Sequence, residues 1–290
     1  MSRLGLGTVQ FGMNYGIANE TGQINFIEAK KILQLASDHN INLIDTAIAY
    51  GNSQKLIGEI GNLNFDVVSK LPPIPEKDLN IDFWVNNMVQ NSLDQLNTKS
   101  LYGLLLHQPK NLLGETGKKL IEVLYKLKSS GLVQKLGISI YDCLEIEQVI
   151  DLFEIDIVQA PLNIIDRRIV TSGWLSKLNH DKIEVHTRST FLQGLLLMPR
   201  HKIPAKFNKW SIMWDRWFYE LKKQNLNAAE VCLSYPLSLS EIDRVIVGID
   251  SFNQLKDLIQ ISQLKQENLD WSFMKSNDKL LVDPNNWALF

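Results

Sequence analysis

The sequence predicts an α/β fold, a (β/α)8 TIM barrel, on three observations. Short apolar runs alternate with amphipathic segments along the chain. There are eight such runs, and they share 290 residues. No Pro/Gly/Ser-rich linker divides them. Alternating strand and helix patterns argue for a parallel sheet. Eight units in a chain of this length favour a closed barrel over a doubly wound sheet. Residues 1–290 are therefore expected to be one barrel domain, with 270–290 as a C-terminal tail that folds over the barrel or meets another subunit.

The strands are expected at 3–7 (RLGLG), 42–45 (NLID), 66–70 (DVVSK), 102–106 (YGLLL), 135–139 (KLGIS), 155–159 (IDIVQ), 183–187 (IEVHT) and 244–248 (RVIVG). Helical spacing falls between them. Residues 26–39 carry Phe26, Ala29, Ile32, Leu33 and Ala36 at intervals of three and four. Residues 117–130 carry Leu120, Val123, Leu124 and Leu127, and Gly131 stands where a C′ glycine would end the helix. Segments 82–96, 142–153, 169–179, 227–235 and 252–264 fit helices too. A short helix over 52–60 has Asn52 or Ser53 as its cap.

Composition excludes several functions. The chain is 45% apolar and 21% charged, ordinary for a globular protein. Its net charge of −2 gives no electrostatic case for nucleic acid or an anionic membrane. Cys143 and Cys232 lie far apart and form no metal-spaced set, which suits a reducing compartment. No apolar run of membrane-spanning length and no signal-peptide pattern appears. A cytoplasmic monomer is the expectation. GLGTVQFG (5–12) looks like a phosphate loop, but its glycine spacing and the distance to the next helix do not fit a dinucleotide fingerprint.

The strand ends carry the chemistry. Asp45, Lys70 and His107 abut the second, third and fourth apolar runs, and Tyr50 follows Asp45 by one short loop. In a (β/α)8 barrel these ends converge on one mouth. A tyrosine is a poor acid at neutral pH, and a neighbouring ammonium favours its phenolate. A carboxylate would hold that lysine, and a histidine would orient a carbonyl oxygen. Together they make a proton donor for a developing alkoxide.

The chain resembles the aldo-keto reductase family. DTAIAYGNSQKLIG (45–58) matches its D-T-A-x-x-Y-G-x-S-x-x-x-x-G signature. VVSKL, LLLHQP, GLVQKLGIS, IVQAPLNIIDRR, RSTFLQGLLL and VIVGIDSFNQLKD continue the likeness over about residues 3–262. The resemblance implies hydride transfer between NADP(H) or NAD(H) and a small carbonyl or alcohol, in carbohydrate metabolism. It implies Tyr50 as general acid, Lys70 as tuner of its acidity, Asp45 as the lysine's partner and His107 as substrate orienter. It places Ser139 and Gln159 on the carboxamide, Thr8 under the nicotinamide ribose, and Ser189, Leu192, Gln193 and Gly194 along the pyrophosphate. Gly248, Ser251, Gln254 and Asp257 would surround the adenosine. The sequence departs from the pattern in three places. Ile140 follows Ser139 where the family often has Asn. Arg188 stands where an aromatic residue often stacks on the nicotinamide, either as a stacking plane or as a charge for an acidic substrate group. Gly248 and Gln254 occupy positions that commonly carry Lys and Arg in members that bind the 2′-phosphate.

Other residues have quieter readings. His186 is expected as a hydrogen-bonded core histidine, and His39 at a helix C-terminus. Trp210, Trp214 and Trp217 have i, i+4, i+7 spacing, which suits a packing stripe or the wall of a substrate pocket. Two rival functions use the same barrel: a cofactor-binding regulatory protein with little turnover, and a Schiff-base lyase or aldolase using Lys70. The polar and aromatic loops after the first and seventh strands suit a sugar or another small polar carbonyl.

Overall fold

The structure is a computed structural model that describes residues 2–61, 64–75, 80–264 and 270–289. Strands β1 (Leu4–Gly7), β2 (Leu43–Asp45), β3 (Asp66–Leu71), β4 (Leu101–Leu106), β5 (Val133–Ser139), β6 (Ile157–Pro161), β7 (Glu184–Arg188) and β8 (Arg244–Gly248) close into a parallel barrel in sequence order. The last pairing, β1 with β8, aligns Gly7 with Gly248. Helices pack side by side around the outside, with Phe252–Gln263 against Phe26–Asp38 completing the ring.

Alternation along each strand divides the core in two. Leu4, Leu6, Leu71, Leu104, Leu106, Ile138 and Val158 point outward into the layer beneath the helices. Leu43, Val68, Leu105, Ile157 and Ile246 form a separate cluster inside the barrel. The interior is too narrow for every strand to contribute bulk, so β1 presents glycines. A Cβ on Gly5 would lie 2.5 Å from Ile246 Cδ1 and 3.0 Å from Leu43 Cδ2. This accounts for the GLG run near the N-terminus: it makes room for barrel packing.

The inner cluster also fixes the site. Two residues further along each strand, on the same face, stand Asp45 above Leu43, Lys70 above Val68, His107 above Leu105, Gln159 above Ile157 and Gly248 above Ile246. The apolar plug supports a polar layer at the C-terminal mouth.

Helices differ from expectation in three places. The segment expected as one helix over 169–179 is two, Arg168–Thr171 and Trp174–His180, broken where Gly173 takes φ +83°. The helix expected over 142–153 is confined to Leu144–Val149. Neither Asn52 nor Ser53 caps the helix Ser53–Ile60 with its side chain; the Ser53 hydroxyl donates to Thr8 O at 2.8 Å. A longer helix than the tryptophan spacing alone implied, Ser211–Gln224, lies between β7 and β8. Its Trp214 and Trp217 are wholly buried, and Trp217 meets Trp271 edge-on with ring centroids 5.1 Å apart. The described tail residues pack on the barrel: Arg167 donates to Trp271 O at 2.6 Å, and Trp287 stands edge-on to Phe207 at 5.0 Å. Phe290 lies outside the described residues.

Candidate active site

Lys70 is 1% exposed, and its Nζ donates to Asp45 Oδ2 at 2.6 Å and to Thr46 O at 2.9 Å. The other carboxylate oxygen accepts from Gln159 Nε2 at 2.6 Å, and Ser139 Oγ donates to Gln159 Oε1 at 3.3 Å. Asp45 thus joins strands β2, β3 and β6, and its charge is compensated on both oxygens. A buried pair of this kind holds together only when such extra hydrogen bonds satisfy it.

Tyr50 and His107 lie over this pair. Their ring centroids are 5.9 Å apart, and Lys70 Nζ stands 5.2 Å from the Tyr50 ring centroid. Gly12 lets the Tyr50 loop sit this low, because a Cβ on Gly12 would fall 1.7 Å from Tyr50 O. Burial raises the Tyr50 phenol above the ordinary tyrosine range, and the Asp45 carboxylate raises it further. The net direction is opposite to the lowering expected from a lysine neighbour, because burial of the phenol dominates and the Asp45 carboxylate adds to it. The phenol therefore carries its proton at neutral pH. Burial, with Lys70 adding to it, lowers His107 to about 4, so its imidazole is neutral at that pH. Burial also lowers Lys70, and Asp45 opposes the shift.

Tyr50, His107 and Asp45 line one end of a cavity of about 470 Å³. It also touches Ser139, Gln159, Arg188, Ser189, Gln193, Gly194, Gly248, Gln254 and Asp257, so most of the expected cofactor residues are brought together. Thr8, Leu192 and Ser251 are not in its wall. Thr8 is fully buried and donates to Asp45 O at 3.0 Å, so it braces the site from behind. Leu192 points into the core, and Ser251 caps the helix Phe252–Gln263 by accepting from Gln254 N. Ser189, Leu192, Gln193 and Gly194 all have positive φ, which folds the loop after β7 tightly against the cavity.

The tryptophan stripe belongs to the packing reading. Trp210, Trp214 and Trp217 are absent from the cavity wall, and Trp214 Nε1 donates to Phe207 O at 3.2 Å. His186 is fully buried, with Nε2 3.3 Å from Glu184 Oε2, and His39 caps the helix Phe26–Asp38. No group of metal-binding side chains occurs among the described residues.

Several wall residues escaped the sequence reading. Tyr141 stacks under the Arg188 guanidinium, whose carbon lies 4.4 Å from the ring centroid. Arg188 donates to Ile140 O at 2.9 Å and to Ser189 Oγ at 3.2 Å, both neutral partners. The loop after β1 crosses the cavity: Ile17 N donates to Gln193 O at 3.1 Å, Asn19 Nδ2 to Asp250 Oδ1 at 3.1 Å, and Lys202 Nζ to Glu20 Oε1 at 2.7 Å. Tyr141 and Asp250 each stand two residues beyond a strand-end residue already singled out, namely Ser139 and Gly248, while Gln10 lies on the short helix Val9–Gly12 after β1. Strand alternation carried past the strand end would have found Tyr141 and Asp250. Tyr15 gave no periodic signal.

A model described as the aldo/keto reductase family matches residues 3–278. The chain belongs to the aldo-keto reductase family. Among its relatives is the oxidoreductase YqkF of Bacillus subtilis (strain 168), 23% identical over 286 residues that cover 92% of this chain and 89% of YqkF. The aldo-keto reductase YhdN of the same organism is 28% identical over 209 residues, 67% of this chain and 60% of YhdN. The fold is shared with the holo form of aldo-keto reductase AKR11C1 from Bacillus halodurans, with a TM-score of 0.74 at 19% identity over 94% of this chain and 91% of that one. As an aldo-keto reductase this chain is an NAD(P)-dependent oxidoreductase of carbonyl compounds. The cavity fits such a cofactor. It is long enough to run from Tyr50 to Asp257, and Gln10 Oε1 and Thr190 Oγ1 in its wall are buried without a hydrogen-bond partner among the described residues. No helix among those residues is long and apolar enough to cross a membrane.

Proposed function

We propose that this aldo-keto reductase reduces a small polar aldehyde or ketone, such as a sugar, with Tyr50 as the general acid. The observation that carries the reading is the placement of a neutral phenol and a neutral imidazole side by side at the cavity end, above a buried Lys70–Asp45 pair. When bound, the nicotinamide supplies hydride to the carbonyl carbon. Tyr50 donates its proton to the carbonyl oxygen as charge develops there. His107, neutral, donates a hydrogen bond that orients the same oxygen. The Lys70 ammonium, 5.2 Å from the Tyr50 ring, stabilises the phenolate left behind. Asp45 and Gln159 keep that ammonium in place. Ser139, Gln159, Arg188 and the loop Ser189–Gly194 would hold the nicotinamide half and the pyrophosphate, and Gln254 and Asp257 the adenosine.

Schiff-base chemistry on Lys70 is disfavoured. The amine is 1% exposed, donates to Asp45 and Thr46, and is absent from the cavity wall. Polarity of the wall supports a hydroxylated substrate: Tyr15, Tyr141, Asn19 and Arg188 all contribute to it. The test follows nicotinamide absorbance across a panel of sugar aldehydes, ketoses and apolar aldehydes. Consumption of reduced cofactor with a preference for the polar compounds is expected. Substrate trapped on Lys70 by borohydride, with no cofactor consumed, would overturn the proposal.

A further inference from the structure

The two ends of the cavity differ in charge, and the far end bears on which dinucleotide the site accepts. With a nicotinamide at Tyr50, the wall also reaches Asp250, Gln254, Asp257 and Leu258 beside β8. The adenosine ribose of an extended dinucleotide comes to rest there. NADP(H) differs from NAD(H) at that ribose alone, by a 2′-phosphate carrying nearly two negative charges.

Such a phosphate needs cations or free backbone amides, and among the described residues no cation lines this end of the wall. Two carboxylates, Asp250 and Asp257, stand in the wall. The wall's cations are Arg188, at the catalytic end, and Lys202, which is bonded to Glu20 at 2.7 Å. Lys256, on the neighbouring helix Phe252–Gln263, is exposed and absent from the wall. The N-terminus of that helix would ordinarily welcome an anion, but this chain supplies its own. Phe252 N donates to the Glu28 carboxylate at 2.7 Å, and Gln254 N donates to Ser251 Oγ at 3.3 Å. The preceding amide, Asp250 N, donates to Gln254 Oε1 at 2.7 Å. Among the described residues, Glu28 has only the exposed Lys31 as an ionic partner, at 4.0 Å. A 2′-phosphate would thus meet carboxylates at Asp250 and Asp257, with the Glu28 carboxylate behind them on Phe252 N and the amides of Asp250, Phe252 and Gln254 engaged. A 2′-hydroxyl meets the opposite situation, since it can donate to a carboxylate. That is the same chemistry by which acidic residues select NAD and arginines select NADP at ribose sites elsewhere.

We propose that this acidic, self-capped end of the cavity makes the enzyme select NAD(H) over NADP(H), through Asp250, Asp257 and Glu28. The inference rests on the reading of the cavity as the dinucleotide site. Calorimetric titration of the purified protein with NADH and NADPH, without substrate, tests it by binding alone. NADH is expected to bind at least ~10-fold tighter at low salt, and the gap to narrow as salt screens the carboxylates. Asp250→Asn, Asp257→Asn and Glu28→Gln, each checked for folding by circular dichroism, are expected to bring the two affinities together by improving NADPH binding. Equal or tighter binding of NADPH by the unaltered protein would overturn the selection while leaving the cavity's assignment intact. Failure of both dinucleotides to bind would overturn the assignment itself, and the selection with it.

Discussion

Replacing Asp45 by Asn keeps the shape of the side chain and removes the charge that compensates Lys70. In the native site the ammonium is 1% exposed and bonded to Asp45 Oδ2 at 2.6 Å and to Thr46 O at 2.9 Å. The variant leaves a buried cation facing two neutral dipoles. Removing one partner of such a pair costs about 3–5 kcal/mol, a large part of the roughly 5–15 kcal/mol that keeps a protein folded. At about 2–4 °C per kcal/mol for chains of 150–250 residues, the melting temperature is expected to drop by the order of 10 °C at pH 7. The pH dependence identifies the cause. The lysine can escape by losing its proton, and that escape becomes cheaper by about 1.4 kcal/mol for each pH unit the solution rises. A lysine held below its unfolded pKa binds fewer protons folded than unfolded, so stability of the variant rises with pH until the unfolded lysine also deprotonates. Denaturation by urea at pH 7, 8 and 9 measures this. The deficit relative to the native protein is expected to shrink by about 1.4 kcal/mol per unit over that range. A deficit under about 1 kcal/mol at pH 7, or one that grows with pH, would refute the account of Lys70 as a buried ammonium dependent on Asp45.

Two further predictions concern the groups above that pair. His107 is lowered to about 4, so the folded state binds fewer protons than the unfolded state as pH falls from the ordinary imidazole value near ~6.5. Stability is therefore lost through that window, and histidine NMR should show the His107 ring neutral at pH 6; a ring half-protonated near pH 6.5 would contradict this, as would a His107→Gln variant with an unchanged acid-stability profile. Gly12→Ala places a Cβ where Tyr50 O now lies at 1.7 Å, so the Tyr50 loop must move by more than an ångström; turnover is expected to fall by about 100-fold, and unchanged kcat in a folded Gly12→Ala variant would show that Tyr50 does not need its present position.

Much of this site was legible from the sequence because it obeys two simple periodicities. Strand alternation links each interior apolar residue to the polar residue two places on, so Leu43, Val68, Leu105 and Ile157 announce Asp45, Lys70, His107 and Gln159. The helical intervals marked the outer layer equally well. Legibility ended where geometry depends on partners far away in sequence. Nothing local says that Thr8 turns its hydroxyl onto Asp45 O, or that the Glu28 carboxylate caps the helix at Phe252, 224 positions later. The pairing of Arg188 with Tyr141 joins the end of β7 to the loop after β5, 47 positions apart. The direction of the Tyr50 shift was also hidden, because it depends first on how deeply the phenol is buried and then on the Asp45 carboxylate beneath it. The tryptophan spacing showed a helix face but left its direction undetermined; only packing against Trp271 and Phe207 turns that face into the core.

The central claim is that the Tyr50 hydroxyl gives its proton to the substrate oxygen, and removing that hydroxyl tests it most directly. Tyr50→Phe keeps the ring beside His107 and over Lys70, so dinucleotide binding measured by calorimetry is expected to stay within about two-fold of the native value. Reduction of the best carbonyl substrate is expected to slow by about 100- to 10,000-fold. A folded Tyr50→Phe protein that binds the cofactor and turns over at a rate near the native one would contradict the account.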